Sequence, residues 1–173
     1  MNGLGLYIHI PYCRTKCRYC SFVSFPCPAK CPETYLTALT RRVREMAGHP
    51  WLAGRKISTI FIGGGTPTIY DGPSLARLLG ECFVNFEVAP NPEVTIESNP
   101  NSVSLEQLKQ CRAAGANRLS IGVQAFDDRL LGTLGRSHCR QDALNACALA
   151  RVVAAVRACR GHAPAAEPVI LTS

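Results

Sequence analysis

The chain has 173 residues, 47% hydrophobic and 18% charged, a globular balance that excludes a disordered or fibrous protein. No run approaches the ~18 uninterrupted apolar residues of a membrane helix, and Met1 leads within a few residues into strand-like sequence, so a soluble chain without a signal or transit peptide is expected. Nineteen basic against twelve acidic side chains give +7, yet beyond Arg41, Arg42 and Arg44 and the trio Arg14, Lys16 and Arg18 they scatter over polar helix faces with no aromatic ladder, which argues against nucleic acid.

In chain order, residues 4–10 read as a strand, and residues 33–47 as a helix with Leu36, Leu39, Val43 and Met46 at helical spacing and Pro32 at its first turn. Residues 56–62 are the second predicted strand. The helix after it bears the clearest apolar stripe in the sequence: Leu75, Leu78, Leu79, Cys82, Phe83 and Phe86. A third strand is expected over 93–98. Ser104 and Gln107 then form a capping box ahead of Leu105, Leu108 and Cys111, and Gly115 closes that helix. Residues 117–124 are the fourth predicted strand. A short segment at 127–134 precedes an Ala-rich helix from about 141 to 159, and 168–172 is a candidate fifth strand.

Strand then helix, repeated across short turns, predicts an α/β fold with a parallel sheet and right-handed crossovers. Within the strands large aliphatics such as Ile8, Ile10, Ile96 and Ile121 hold one parity. Strands covered by helices on both faces would be apolar on both, so helices are expected on one face only. The other face carries Tyr7, His9, Thr95, Glu97, Ser120, Gly122 and Gln124, too polar for the packed interior of a closed eight-stranded barrel. The expectation is a partial TIM-like (βα) barrel of four to five parallel strands around a polar ligand. Exposure of that face to bulk solvent is the alternative.

The ten cysteines divide into two groups. Cys82, Cys111, Cys139, Cys147 and Cys159 fall mostly on apolar helical positions and read as core thiols. Cys13, Cys17, Cys20, Cys27 and Cys31 crowd together past the carboxyl end of the first strand, where parallel α/β folds place ligands. Their uneven spacing suggests a reducing compartment and a metal site instead of a disulfide framework. Three thiolates on one short loop can share a cluster of four irons and leave one iron open for substrate. Arg14, Lys16 and Arg18 are expected to lower the thiol pKa values. A zinc site completed by Cys27 or Cys31, or unligated thiols, are competing readings of the same residues.

Gly63, Gly64 and Gly65, followed by Thr66, Pro67 and Thr68, close the second strand. Glycines let a ligand touch the backbone and leave amides and carbonyls free to bond it, whereas a bare tight turn is the plainer alternative. The pattern is neither GxGxxG nor a P-loop, so nucleotide phosphate is not its obvious target. Single polar residues stand at or beyond later strand ends: Glu97, suited to an amine or ribose hydroxyls, Gln124, able to donate or accept in a plane, and Arg136, able to fork onto a carboxylate. His9 and His138 read as structural, each satisfying a backbone carbonyl.

YIHIPYC at 7–13 running into CxxxCxxC, GGGTPT at 63–68, IESNP at 96–100, NRLSIGVQ at 117–124 and LGRSH at 134–138 together resemble the radical S-adenosylmethionine (SAM) superfamily over residues 4–150. Within it the likeness is to the group holding oxygen-independent coproporphyrinogen III oxidases and heme chaperones of the HemW type. The oxidases carry a further cysteine two positions after the third ligand; Phe22 stands there, which looks like the heme-chaperone branch. The resemblance implies that Cys13, Cys17 and Cys20 ligate a 4Fe-4S cluster whose open iron SAM chelates. It places Tyr7 and Tyr19 against the cofactor, gives its methionine end to Gly64, Gly65 and Thr66, and matches Glu97, Gln124 and Arg136 to further SAM contacts. It implies reductive cleavage of SAM, a flavodoxin- or ferredoxin-type electron donor, heme in full-length members, and a cytoplasmic location, or a mitochondrial one where a presequence precedes this chain.

Family members also have further strands, one bringing an Asp to SAM, and a C-terminal domain with a heme motif. Residues 1–150 are therefore expected to be the N-terminal part of a radical SAM core and 151–173 a divergent ending, with cluster binding expected ahead of turnover. A coproporphyrinogen oxidase-like enzyme of porphyrin biosynthesis, a heme-handling protein without radical chemistry and a non-catalytic zinc module are the other functions considered.

Overall fold

The computed structural model describes residues 3–27, 31–158 and 170–172. In chain order they form β1 (Gly3–Ile10), β2 (Tyr12–Cys13), β3 (Phe25–Pro26), α1 (Glu33–Ala47), β4 (Lys56–Gly64), α2 (Gly72–Asn85), β5 (Val88–Ser98), α3 (Leu105–Ala113), β6 (Arg118–Gly122), α4 (Asp128–Leu134), α5 (Arg140–Ala158) and β7 (Ile170–Thr172). Five of the strands make one sheet in the order β1-β4-β5-β6-β7, parallel at every pair. Each new strand is added on the same side of the last. A doubly wound sheet reverses direction at a switch point; this one advances without reversal, as the wall of a barrel does.

The strand parity decides which face the helices cover. Ile8 and Ile10 of β1, Ile60 and Ile62 of β4, and Val94 and Ile96 of β5 are buried in one cluster with Leu36 and Val43 of α1 and Leu75, Leu78, Leu79 and Cys82 of α2. On the opposite parity Tyr7 is 53% exposed, and His9 and Glu97 are only partly buried. Thr95 departs from that pattern: Arg118 Nη1 donates to its hydroxyl at 3.1 Å and Glu93 accepts from it at 3.1 Å, so a polar lid seals it completely.

Caps mark where the helices begin. Asp71 accepts from Ser74 N–H at 2.8 Å to start α2, and Asp127 accepts from Arg129 N–H to start α4. Ser104 caps α3 through Gln107 N–H at 3.2 Å, but the reciprocal half of the expected box is missing. The Gln107 amide instead donates to the carbonyls of Thr68 and Tyr70, holding the turn after β4. A reciprocal box does occur just upstream, between Asn99 and Ser102.

The later cysteines divide more finely than helical position suggests. Cys82 and Cys111 are buried, and that burial pushes their thiols up to about 12 and about 11, so they stay protonated packing groups. Cys139 is exposed and Cys147 half-buried, and Cys159 lies outside the described residues. Among the described residues no helix is long and apolar enough to cross a membrane.

Candidate metal and cofactor site

The carboxyl ends of β1, β4, β5 and β6 surround a cavity of about 290 Å³. Its first wall is the cysteine loop. Phe25 N–H donates to Pro11 O and Cys27 N–H to Cys13 O, both at 2.6 Å, so the chain returns alongside itself and closes the loop. Within it Cys20 N–H reaches Cys17 O at 3.2 Å, and Lys16 Nζ crosses to the carbonyls of Phe22 and Ser24. Cys13, Cys17 and Cys20 all line the cavity, half-buried and free of disulfides.

The glycine turn is the second wall. Gly65 N–H donates to Ile10 O and Thr66 N–H to Tyr12 O, each at 2.7 Å, and Gly64 N–H donates to Glu97 Oε2 at 2.9 Å. These amides, expected to be free for a ligand, are spent on the chain itself. The need for glycine follows from that approach: a Cβ on Gly65 would stand 2.5 Å from the Tyr12 carbonyl oxygen. The Thr66 hydroxyl reaches Cys13 Sγ at 3.7 Å.

Strand ends complete the enclosure. Glu97, Gln124 and Arg136 line it together with Tyr19, Gly64, Gly65 and Thr66. Gln124 has φ +66°, the one left-handed non-glycine residue among those described. That conformation costs roughly 1–2 kcal/mol. It sits where β6 ends and the side chain turns into the cavity, the kind of place where such strain is retained for a site.

Arg136 follows Gly135, whose φ of +71° ends α4 in a left-handed cap. Its guanidinium donates to Cys17 Sγ at 3.3 Å, to the Tyr19 hydroxyl at 3.5 Å, to the Gly122 carbonyl at 2.6 Å, to Asn99 Oδ1 and, through Nε, to His138 Nδ1 at 3.4 Å. His138 is buried, and Val123 O at 3.0 Å accepts from its Nε2, as a structural histidine should have it. Burial pushes its pKa down, and the Arg136 charge pushes the same way.

Tyr7 lies apart from this group. Its hydroxyl bonds His9 Nδ1 at 2.9 Å, its ring stacks near Phe61, and it does not line the cavity. His9 Nε2 holds the Val23 carbonyl at 2.9 Å, so both residues brace the base of the cysteine loop. Sequence reasoning passed over Asn99, Asn101 and Ser102, which do line the cavity. The signal was the Asn-Pro step directly after a strand: Pro100 opens a short 3-10 turn whose N-cap is Asn99.

The thiols sit in a different field from the one expected. Burial raises the Cys13 pKa, with the Thr66 and Ser24 hydroxyls partly opposing it. Arg14 acts on Cys31, Lys16 is folded back onto carbonyls, and Arg18 reaches Thr133 O. The cation that hydrogen-bonds a thiol of the trio among the described residues is Arg136, 119 positions from Cys17.

Three unpaired thiols on one wall, with hydroxyl and guanidinium donors aimed at two of their sulfurs, are a donor set that suits a thiolate-bound metal group. Among the described residues no three His, Cys, Asp or Glu side chains close around a single ion. A four-iron cluster gives each thiolate its own iron, so its ligands need to share a cavity and not a point, whereas tetrahedral zinc needs the point. The residues present fit the cluster.

A family profile described as the Radical SAM superfamily matches residues 7–154. The heme chaperone HemW of Escherichia coli is 40% identical over 148 residues, 85% of this chain and 39% of that protein. A bovine protein, radical S-adenosyl methionine domain-containing protein 1, mitochondrial, is 39% identical over 150 residues, 85% of this chain and 33% of its own length. Among solved structures, coproporphyrinogen III oxidase (HemN) from Escherichia coli, a radical SAM enzyme, superposes with a TM-score of 0.79 at 32% identity, over 88% of this chain and 35% of that one. The chain thus spans about two-fifths or less of the length of the relatives it matches.

Proposed function

The chain belongs to the radical SAM superfamily, and on that premise we propose that it binds a 4Fe-4S cluster through Cys13, Cys17 and Cys20 and SAM in the adjoining cavity, as a member of the heme-chaperone branch. One observation carries this reading: the thiol trio, the glycine turn, Glu97 and Gln124 line one cavity at the carboxyl ends of four parallel strands. When bound, such a cluster supplies one electron for cleavage of the sulfonium carbon–sulfur bond of SAM.

The chain's own residues bind and position. Glu97, fixed by the Gly64 amide, presents its remaining carboxylate acceptor capacity to an amine or to ribose hydroxyls. Gln124 offers a planar donor and acceptor from its strained backbone. The Tyr19 ring, half-exposed on the rim, gives the ligand an apolar face. Arg14 and Arg18 are exposed on the same loop, and their charge suits an acidic one-electron donor of flavodoxin or ferredoxin type.

Two observations favour the heme-chaperone branch over a coproporphyrinogen oxidase: Phe22 stands where the oxidase pattern has cysteine, and relatives named as heme chaperones recur at 34–40% identity. Heme is then the expected cargo. Anaerobic reconstitution with iron and sulfide tests the core of the reading. About four irons and four sulfides per chain are expected, together with a change in the reduced cluster's EPR spectrum on adding SAM. A colourless protein that retains zinc and takes up no sulfide would refute it.

A further inference from the structure

We propose that Cys27 and Cys31 form a redox-active dithiol, separate from the ligand trio, which a small disulfide of the glutathione class converts into an internal bridge. The two are left over from the site already described: Cys13, Cys17 and Cys20 line the cavity, and neither Cys27 nor Cys31 does. Cys31 is 7% exposed and belongs to the main apolar core, and Cys27 packs against that core half-buried. Both are free of disulfides. Among the described residues they join no third His, Cys, Asp or Glu that would complete a metal site.

The main chain anchors both ends of the pair. Cys27 N–H donates to Cys13 O at 2.6 Å, just past the pairing of β2 with β3. Next to Cys31, the Pro32 carbonyl accepts from the Tyr70 hydroxyl at 3.1 Å, and Pro32 is the N-cap of α1. Between these two fixed points the side chains of Cys27 and Cys31 meet in a hydrogen bond. Two cysteines can be bridged without backbone movement only where their side chains already face each other, and these do.

Burial separates their roles. It pushes the Cys31 thiol up to about 12, and Cys27 pushes the same way, so Cys31 rests protonated and the more exposed Cys27 is the entering sulfur. Cys27 gives up its proton and attacks one sulfur of the small disulfide, whose S–S bond breaks and releases one thiolate. Cys31 then gives up its proton and attacks Cys27 Sγ, which breaks the mixed disulfide and releases the second thiolate. The two protons end on the two released thiols; the protein pair is oxidised by two electrons and the small disulfide reduced by two. The bridge ties the return of the cysteine loop to the start of α1 and uses none of Cys13, Cys17 and Cys20. The proposal does not depend on the cluster reading, which a chain that takes up no iron would defeat alone.

The experiment equilibrates the metal-free full chain with oxidised and reduced glutathione, traps free thiols by alkylation and maps tryptic peptides by mass spectrometry. Lys30 lies between the two cysteines, so cleavage puts them on separate peptides, 19–30 and 31–41, which stay together only when bridged. The expected result is a linked pair that dithiothreitol separates, with fragmentation placing the bridge at Cys27 and finding Cys20 alkylated. At the same glutathione ratio the bridged fraction should fall when the chain is unfolded in urea. In Cys31→Ser the link should be lost and Cys27 should hold glutathione as a stable mixed disulfide. A bridge from Cys31 to Cys20, glutathione on both Cys27 and Cys31 with no link between them, no reaction at either, or a bridged fraction equal in urea would each overturn the proposal. Should Cys31→Ser fail to fold, fragmentation and the urea comparison on the unaltered chain decide.

Discussion

Gly65→Ala measures how tightly the glycine turn is packed on the cysteine loop. The backbone of Gly65 lies outside the left-handed region, so alanine can adopt it and the effect is steric. The added methyl would meet the Tyr12 carbonyl oxygen at 2.5 Å, its carbon at 2.8 Å and its nitrogen at 2.9 Å, all main-chain atoms with no rotamer to escape through. Ordinary contact begins at 3.4 Å, so the two loops must part by about 1 Å. That opening stretches the bonds from Gly65 N–H to Ile10 O and from Thr66 N–H to Tyr12 O, both now 2.7 Å. Two backbone hydrogen bonds at ~0.5–1.5 kcal/mol each, with ~1–3 kcal/mol of overpacking, put the cost at about 2–6 kcal/mol. Urea unfolding should show a lowered midpoint at an unchanged slope, and iron uptake should fall because Cys13 follows Tyr12 directly. A midpoint and iron content equal to those of the unaltered chain would refute the claim that these two loops set each other's position.

The other predictions concern the scaffold. Gly80→Ala, in the middle of α2 with nothing within 4 Å of the new methyl, should stabilise the chain by ~0.5–1 kcal/mol in the same urea assay. Leu79→Ala should cost ~2–5 kcal/mol, since Leu79 is fully buried between α2 and the sheet, and calorimetry should show the matching fall in Tm. The Arg44 guanidinium hydrogen-bonds Glu81 and holds its carboxyl below the usual range. A depressed folded pKa stabilises above the unfolded value and loses that contribution as pH falls through the folded one, so Glu81→Gln should flatten the acid limb of the stability profile and leave the neutral plateau lower.

Much of the sheet was legible because its signals are local. The parity of Ile8 and Ile10 against Tyr7 and His9 is readable in a few residues, and it decides which face the helices cover. The short strand-to-helix turns supplied the order. Boundaries were less legible: β5 begins at Val88, before the expected 93, because an irregularity between Ile57 and Thr59 lets Val88 pair with Ile57 ahead of the main register. The capping box expected of Ser104 and Gln107 forms only in its Ser104 half for a tertiary reason, since the carbonyls of Thr68 and Tyr70, more than thirty positions away, take the Gln107 amide.

The site shows the same division more sharply. That thiols, glycines and strand-end polar residues should gather is a statement about topology, and CxxxCxxC after a first strand carries it. What each group does once there depends on donors arriving from other strand ends, and no spacing rule encodes those. Arg14, Lys16 and Arg18 are adjacent to the cysteines in sequence and looked like their counter-charges, yet Lys16 is spent on the loop's own carbonyls, Arg18 on Thr133 O, and Arg14 acts on Cys31. The charge that reaches Cys17 must come from across the cavity, and Arg136 does so because the left-handed cap at Gly135 reverses the chain there. Sequence neighbours of a ligand loop are therefore poor candidates for its electrostatics, and the ends of the remaining strands are better ones. That is also why the cysteine loop cannot be treated as a detachable motif: its geometry is held by Ile10 and Tyr12 against the turn after β4, by His9 against Val23, and by Arg136 and Leu134 from the turn after α4.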